Sequence, residues 1–402
     1  MTAILPGATI GFLGGGQLGR MAAMAARSMG YDVHVLDPDP DCPARAVSSK
    51  TITASFNDVA AAVELARGCS VITLEIEQIS VAALDAATAH APVRPGSAAL
   101  FIIQDRLRQK NWLRAQNFPV GDFREADSAE ALSNAITAMG PSIAKSCHGG
   151  YDGRGQVRLQ SESEAVHTWE ILGNQTCIVE HLLSIDVELS VLVARRPSGE
   201  IVAYPPSRNH HTSGVLTWAV TPARLPDELL QRATALALDI TERLGIVGLL
   251  AVEFFCTSDG RLLVNELAPR PHNTYHHSER ASATSQFEQL IRAVCDVPLG
   301  STELLAPGAI VNLLGEVWMQ DSPPDISSAL AVSGTRLHLY GKKSARPGRK
   351  MGHLSAVGHT EHDALARVLS SYEHLSPRTA AMLNLAATLP PAPSDRAPAV
   401  EP

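Results

Sequence analysis

The sequence predicts an α/β chain, α+β overall: a doubly wound unit first, a larger mixed region next and a small third region at the end. Three observations predict it. The apolar run Ala8–Leu13 leads directly into the glycine turn Gly14–Gly19 (GGGQLG), an Ala/Met-rich helical run to Met29 and a second apolar run, Tyr31–Leu36. That order of strand, glycine turn, helix and strand opens a parallel β-α-β unit. Residues 118–180 then alternate strand and helix patterns. Further on, the apolar strands Val247–Cys256 and Leu262–Leu267 flank Ser258-Asp259-Gly260-Arg261, which reads as a hairpin.

Composition narrows the function classes. A chain of 402 residues suggests two or three domains, and 45% hydrophobic with 18% charged residues is a globular balance. We expect boundaries at 1–100, 101–300 and 301–388, with the Pro/Ala-rich residues 389–402 as a disordered tail. A net charge of -8 argues against general nucleic-acid binding. Six cysteines without a Cys-x-x-Cys pair fit reduced thiols better than a disulfide framework. No apolar run approaches about 18 residues, and the start carries no basic leader, so no membrane contact and a cytoplasmic location are expected.

Within the first unit, Gly15, Gly16, Gln17 and Leu18 stand at the turn, and Asp37 follows about 20 residues on, as in dinucleotide-binding units. Such glycines serve any phosphate at a helix N-terminus, or simply a tight turn. No dehydrogenase-like catalytic set follows, which counts against a nicotinamide enzyme. The strand Val71–Leu74 runs into Glu75-Ile-Glu77, two carboxylates where open sheets place ligands, or else solvated loop residues. After the break at Pro92–Gly96, Ala98–Ala115 reads as one helix bearing Gln104, Asp105, Arg106 and Lys110.

The stretch Ala144–Gln156 (AKSCHGGYDGRGQ) combines Lys145 with Gly149, Gly150, Gly153 and Gly155, interleaved with Tyr151, Asp152 and Arg154. Glycine backbones let N–H groups approach an anion closely, and the lysine adds a full charge. The pattern suits a flap over phosphates; a glycine-rich surface turn is the alternative. Glu180 ends the strand CIVE, and Glu188 lies in the alternating strand Asp186–Arg195. These acids suit ribose hydroxyls and an adenine amine, or ordinary solvent-facing positions.

The hairpin carries the sharpest geometry. A two-residue Asp-Gly turn pairs Ser258 with Arg261 and so sets Glu253 opposite Glu266, with Cβ atoms roughly 5 Å apart. Facing carboxylates in apolar strands repel unless a cation lies between them, and an oxygen-only pair suits magnesium. A shared proton, or a bulge that moves the register, is the alternative. Directly after come Arg270, His272, Asn273, His276 and His277 in APRPHNTYHH. Two prolines there break any regular helical face, so anion or substrate hydrogen bonding is a better reading than a transition metal. Near the end, Lys342, Lys343, Arg346, Arg349 and Lys350 make a local positive patch suited to a phosphate monoester, or a solvated basic loop. There is no internal repeat and no Walker-type phosphate loop.

Taken together, Gly14–Met21, Gln104–Lys110, Gly149–Gln156, Val264–Asn273 and Arg346–His353 resemble, in order, the markers of the ATP-grasp superfamily. Within it they closely resemble the carboxyaminoimidazole ribonucleotide synthetases of bacterial purine biosynthesis. The resemblance implies an ATP-grasp fold with an N-terminal doubly wound (Rossmann-like) pre-ATP-grasp domain and a small C-terminal domain. By matching positions it implies ATP at Arg106, Lys145, Gly150, Tyr151, Asp152, Gly153, Arg154, Gly155, Gln156, Glu180, His181, Leu182, Leu183, Glu188, His211, Asn265 and Glu266. Magnesium falls to Glu253 and Glu266. Substrate falls to Gly15, Gly16, Gln17, Leu18, Glu75, Tyr151, Asp152, Arg154, Arg270, His272, Asn273, Lys342, Arg349 and Lys350. Lys145, Asp152, Arg270 and His272 are the expected catalytic set, and our own candidate for the base that takes the amine's proton is Asp152. The implied activity is carboxylation of the exocyclic amine of aminoimidazole ribonucleotide with ATP and bicarbonate, in a homodimer. A paralogous ligase for another amine is the alternative. The chain departs from the family pattern at Ser146-Cys147-His148, at Arg208 and at Thr274-Tyr275, where a phenol is expected beside the acceptor site.

Overall fold

The opening apolar runs become a parallel sheet whose faces are both covered. The computed structural model describes residues 2–149 and 155–385. Its first sheet holds β1 (Thr9–Leu13), β2 (Asp32–Asp37), β3 (Lys50–Thr53) and β4 (Val71–Leu74) in the order β3-β2-β1-β4. Every pairing is parallel. Helices α1 (Gln17–Ser28), α2 (Val59–Arg67) and α3 (Val81–Thr88) complete the doubly wound unit. Ile10, Phe12, Val33, Val35 and Val71 are fully buried, as continuous apolar strands between two helical layers require. The edge strand β3 (KTIT) is short and polar and carries no apolar pattern that would betray it.

The single helix expected over Ala98–Ala115 is two helices, α4 (Ser97–Ile103) and α5 (Arg106–Ala115). Asp105 is the reason. Its backbone is extended, and its carboxylate accepts the Arg108 N–H at 2.7 Å, a side-chain N-cap that starts a new helix. The break re-aims α5, so that Arg106 and Lys110, four residues apart, share one face.

A second, antiparallel sheet holds β5 (Phe123–Ala126), β6 (Ser142–Ser146), β7 (Gln156–Leu159) and β8 (Cys177–His181) in the order β5-β8-β6-β7. Helices α6 (Ala129–Met139) and α7 (Ala165–Ile171) back it through Leu132, Ile136, Leu159 and Val179. The third sheet has nine strands. They are β9 (Ile185–Arg195), β10 (Ile201–Ala203), β11 (Ser207–Thr212), β12 (Val215–Thr221), β13 (Gly248–Thr257), β14 (Leu262–Ala268), β15 (Gly308–Leu314), β16 (Thr335–Leu339) and β17 (Lys350–Val357). The order is β14-β13-β9-β11-β12-β15-β17-β16, with β10 paired to β9. Helix α8 (Asp227–Arg243) packs Ala233, Ala237 and Ile240 against Val191, Val193 and Val252. After the short α9 (Ser278–Ala281), α10 (Gln286–Val294) buries Phe287, Leu290 and Ile291 against the first unit. The last strands extend this same sheet: β12 pairs with β15 from Trp218↔Val311 to Thr221↔Gly308. Helices α11 (Ile326–Ala331) and α12 (Glu361–Leu375) cover them.

The β13–β14 hairpin differs from the expected one in two places. Thr257 N–H donates to Arg261 C=O at 2.9 Å, and Gly260 takes φ +82°, so the loop has three residues instead of two. That shifts the ladder by one, to Phe254↔Val264. A bulge beyond this pair inserts Asn265 and shifts it back, so Glu253 does face Glu266. The predicted pair is real, but it arises from two compensating offsets.

Candidate active site

The cleft lies where the second sheet faces the third, with a volume of about 730 Å³. On one wall, β6 presents Lys145 and β8 presents Glu180. Glu180 is gripped from two sides: Lys145 pairs with one carboxylate oxygen, and Lys110 from α5 reaches the other at 3.0 Å. Burial pushes the Glu180 carboxyl upward, but the two ammonium groups outweigh it and hold the acid below its usual range. Both oxygens face lysines, so the alternative of a solvent-facing Glu180 is wrong. Lys110 also donates to the Val264 carbonyl at 3.1 Å, linking α5 to the opposite hairpin.

On the other wall stand the hairpin acids. Glu266 receives Arg106 Nη1 at 3.1 Å. Glu253 receives His272 Nε2 at 3.1 Å and the Asn265 amide at 3.4 Å. Burial would raise the Glu253 carboxyl, yet His272, His211 and Arg270 together hold it well below the ordinary range. The Asn265 bulge explains why two successive residues of β14, Asn265 and Glu266, both line the cleft. Glu188 and His211, on adjacent strands, form an ion pair at 2.7 Å, and the histidine stays protonated to higher pH than usual because that pairing outweighs its burial.

Of the residues expected at the site, Arg106, Lys145, Gln156, Glu180, His181, Leu182, Leu183, Glu188, His211, Glu253, Asn265, Glu266, Arg270, His272, Asn273 and Lys350 line this one cleft. Gly150, Tyr151, Asp152, Gly153 and Arg154 lie outside the described residues, as does the tail 389–402. Gly155 is described at φ +67°, next to Gln156 in β7.

Gly15, Gly16, Gln17, Leu18 and Glu75 do not line it; they lie beside it at the head of α1. There the chain supplies its own anions. Asp37 accepts Gly15 N–H at 2.7 Å, and Glu75 accepts Gly16 N–H at 2.6 Å and Gly19 N–H at 2.8 Å. The glycine turn is therefore filled by carboxylates, which leaves no phosphate seat of the dinucleotide kind on those amides. Burial pushes Glu75 up to about 7 against the pull of these N–H groups. Arg270 ties this corner to the cleft through Glu77, at 2.6 Å.

Lys342 and Arg349 also lie off the cleft. Lys342 donates to the Lys350 carbonyl at 2.7 Å, and Arg349 donates to the Ser344 carbonyl and hydroxyl at 2.9 and 3.0 Å. Lys343 bridges to Asp41 at 2.7 Å, which closes the basic loop onto the first unit.

The departures resolve into local structure. His148 pairs with Asp105 at 3.0 Å, and Cys147 C=O accepts Arg106 N–H at 2.9 Å, latching the flap's first residues to the start of α5. Tyr275 does not stand beside the acceptor site. It is fully buried, and its hydroxyl donates to the Ser190 and Pro205 carbonyls at 2.8 and 3.0 Å. The 3₁₀ turn Asn273–Tyr275 points the ring into the core. Sequence reasoning gives Lys110 no role of its own, and although it offers Glu77 as a ligand-side carboxylate it does not foresee the pairing of Glu77 with Arg270. The i,i+4 spacing of Arg106 and Lys110 was the available signal for the first, whereas the second needs a contact spanning the chain.

Comparison with known proteins matches residues 7–104 to the ribonucleotide synthetase preATP-grasp domain, 111–287 to the ATP-grasp domain and 308–367 to the phosphoribosylaminoimidazole carboxylase C-terminal domain. N5-carboxyaminoimidazole ribonucleotide synthase of Bacillus subtilis is 41% identical over 371 residues, 92% of this chain and 96% of that protein. An N5-carboxyaminoimidazole ribonucleotide synthetase solved with ADP superposes with a TM-score of 0.87 at 41% identity, over 93% of this chain and all of that one. The Aspergillus clavatus synthase, solved with ADP and 5-aminoimidazole ribonucleotide, superposes at 0.85 with 29% identity, covering 92% and 98% of the two chains.

Proposed function

The chain belongs to the N5-carboxyaminoimidazole ribonucleotide synthase family of ATP-grasp ligases, and on that footing we propose that it carboxylates the exocyclic amine of 5-aminoimidazole ribonucleotide with ATP and bicarbonate. The products are N5-carboxyaminoimidazole ribonucleotide, ADP and phosphate. The observation that carries the reading is the cleft itself, where Lys145, Lys110 and Arg106 converge on one side of a facing carboxylate pair, Glu253 and Glu266.

The donor set fits a hard divalent cation. Two facing carboxylates and an adjacent amide offer only oxygen ligands, and among the described residues no thiol lines the cleft. Glu253 and Glu266, with Asn265 beside them, would hold magnesium. Bound there, magnesium supplies charge neutralisation for the phosphoryl group in transfer. The chain's own residues do the rest. Lys145 and Lys110 exchange their hold on Glu180 for the nucleotide phosphates, and Arg106 adds a guanidinium from the head of α5. A bicarbonate oxygen attacks the γ-phosphorus, the bond to ADP breaks, and carboxyphosphate forms. The substrate amine attacks its carbonyl carbon, the C–O bond to phosphate breaks, and the amine's proton passes to a base. We assign that base to Asp152, with Arg270, His272 and Asn273 orienting bicarbonate and the amine. The basic loop with Lys350 at the cleft's edge serves the substrate phosphate. The flap excludes water from an intermediate that water would destroy.

No helix of the described residues is long and apolar enough to cross a membrane. All six cysteines are free, which supports a reducing, cytoplasmic compartment. A homodimer is proposed from the family likeness.

The test is phosphate release from ATP with bicarbonate, measured with and without aminoimidazole ribonucleotide. Release coupled to carbamate formation is expected. Release indifferent to that amine would sink the substrate while sparing the ligase. Asp152→Asn should bind both nucleotides yet form product at least about 100-fold more slowly; normal carboxylation would remove Asp152 from its role.

A further inference from the structure

His272 is held more tightly than a residue that merely lines a cleft. Gln286, fully buried, clamps its main chain from both sides: its side-chain carbonyl accepts His272 N–H at 2.7 Å, and its amide donates to His272 C=O at 3.0 Å. The imidazole is fixed separately. Its Nδ1 lies 2.8 Å from the Thr274 hydroxyl, and that hydroxyl lies 2.9 Å from the Ser190 hydroxyl on β9. Thr274 and Ser190 are both fully buried. At the far side, Nε2 faces Glu253 at 3.1 Å.

The directions of these bonds follow from the donor inventory. An ionised carboxylate only accepts, so Nε2 carries the hydrogen that meets Glu253. In the neutral ring Nδ1 is then an acceptor, and the Thr274 hydroxyl must donate to it. The oxygen of Thr274 in turn accepts from Ser190 at 2.9 Å, the shorter of that hydroxyl's two contacts, the other being Asn209 Oδ1 at 3.3 Å. The chain of bonds runs one way, from Ser190 through Thr274 and His272 to Glu253.

We propose that Thr274, backed by Ser190, is a positioning residue that holds the His272 ring by its Nδ1, with Nε2 turned to Glu253, and thereby aims Glu253 into the cleft. This rests on the ligase reading only in giving Glu253 a metal to hold. A threonine at this place supplies the hydroxyl that the role needs. Partners behind a metal ligand set its orientation and basicity, and their loss commonly lowers metal affinity or activity by about 10- to 100-fold.

The test uses the full chain labelled with ¹⁵N-histidine and free of metal, with the His272 resonances identified by their loss in His272→Gln. Two-bond ¹⁵N–¹H couplings should show His272 as the Nε2–H form. Thr274→Val, nearly equal in volume, removes the hold on Nδ1 and frees the ring to turn, so that either nitrogen can carry its hydrogen to Glu253; a mixture of tautomers is then expected, and Thr274→Ser should restore the wild-type pattern. In steady-state assays Thr274→Val should raise the magnesium concentration needed for half-maximal turnover by about 10-fold or more, with Thr274→Ser close to wild type. A wild-type His272 in the Nδ1–H form overturns the proposal without any variant being needed. So does a folded Thr274→Val with the wild-type tautomer. Should Thr274→Val fail to fold, Ser190→Ala replaces it, and an unchanged tautomer and magnesium requirement there again overturns the proposal. A wild-type protein that shows the expected tautomers but no ATP-dependent carboxylation overturns the ligase reading instead and leaves the positioning role standing.

Discussion

At the scale of single residues, the site is a set of carboxylates to which the chain has already given partners, and each pairing predicts a response. Glu266 meets Arg106, Glu253 meets His272, and Glu180 meets two lysines. Glu266→Gln removes one charge from the facing pair and several kcal/mol of metal-assisted stabilisation. Turnover should fall on the order of 100- to 1,000-fold, with nucleotide binding largely kept; magnesium-dependent turnover at the wild-type level would refute the metal assignment. Glu75 predicts a pH dependence of stability. Its carboxyl titrates near 7 in the folded chain and in the ordinary carboxylate range when unfolded. Between those values the native state holds the extra proton, so its ionisation costs stability as pH rises. From about pH 5 to pH 8 the loss is roughly 2 to 3 kcal/mol from this group. Glu75→Gln cannot titrate. Its urea stability should therefore gain on the wild type by that amount across the window, and a constant difference would show that Glu75 is ionised throughout.

At the scale of elements, the β13–β14 hairpin shows what a sequence carries and what it hides. Two apolar strands and a Ser-Asp-Gly-Arg turn are visible in the letters, and so is the facing acid pair. Neither the three-residue loop nor the Asn265 bulge is visible, because a glycine at positive φ serves both loop types and a bulge depends on neighbouring strands. The α4/α5 break was in principle readable, since Asp105 three residues before Arg108 is a cap signal. It was masked by helical residues on both sides. The loop geometry has its own test. Gly260 stands at φ +82°, and a Cβ added there would meet no atom within 4 Å, so Gly260→Ala brings only backbone strain. We expect a loss of about 1 kcal/mol in urea unfolding, less for Gly260→Asn, with kcat unchanged. Equal stability of all three proteins would contradict the left-handed turn.

At the scale of the whole molecule, three sheets were foreseen only in outline. The parallel unit was legible from its glycine turn, but the joining of the last strands to the central sheet was not, because non-local pairing leaves no mark in local periodicity. Trp218 is 1% exposed, within a cluster completed by Val311, Leu313 and Leu354 from beyond residue 300. A chain ended before Gly308 would uncover that cluster and the bonding edge of β12 together. It should aggregate, as read by size-exclusion chromatography, and show no ligase activity; a soluble monomer with native-like spectra would mean that the last strands fold apart.

That continuity has a mechanical side. Glu253 on β13 and Lys350 on β17 border one cleft, yet the ladder between them runs through β9, β11, β12 and β15. At about 4.8 Å a step, five steps make a span of roughly 24 Å along the sheet, and its two ends border the cleft like the jaws of a caliper. The jaws of a caliper share its frame. Lys350 and the two acids are thus set against each other by one continuous hydrogen-bonded sheet, not by the docking of separate domains.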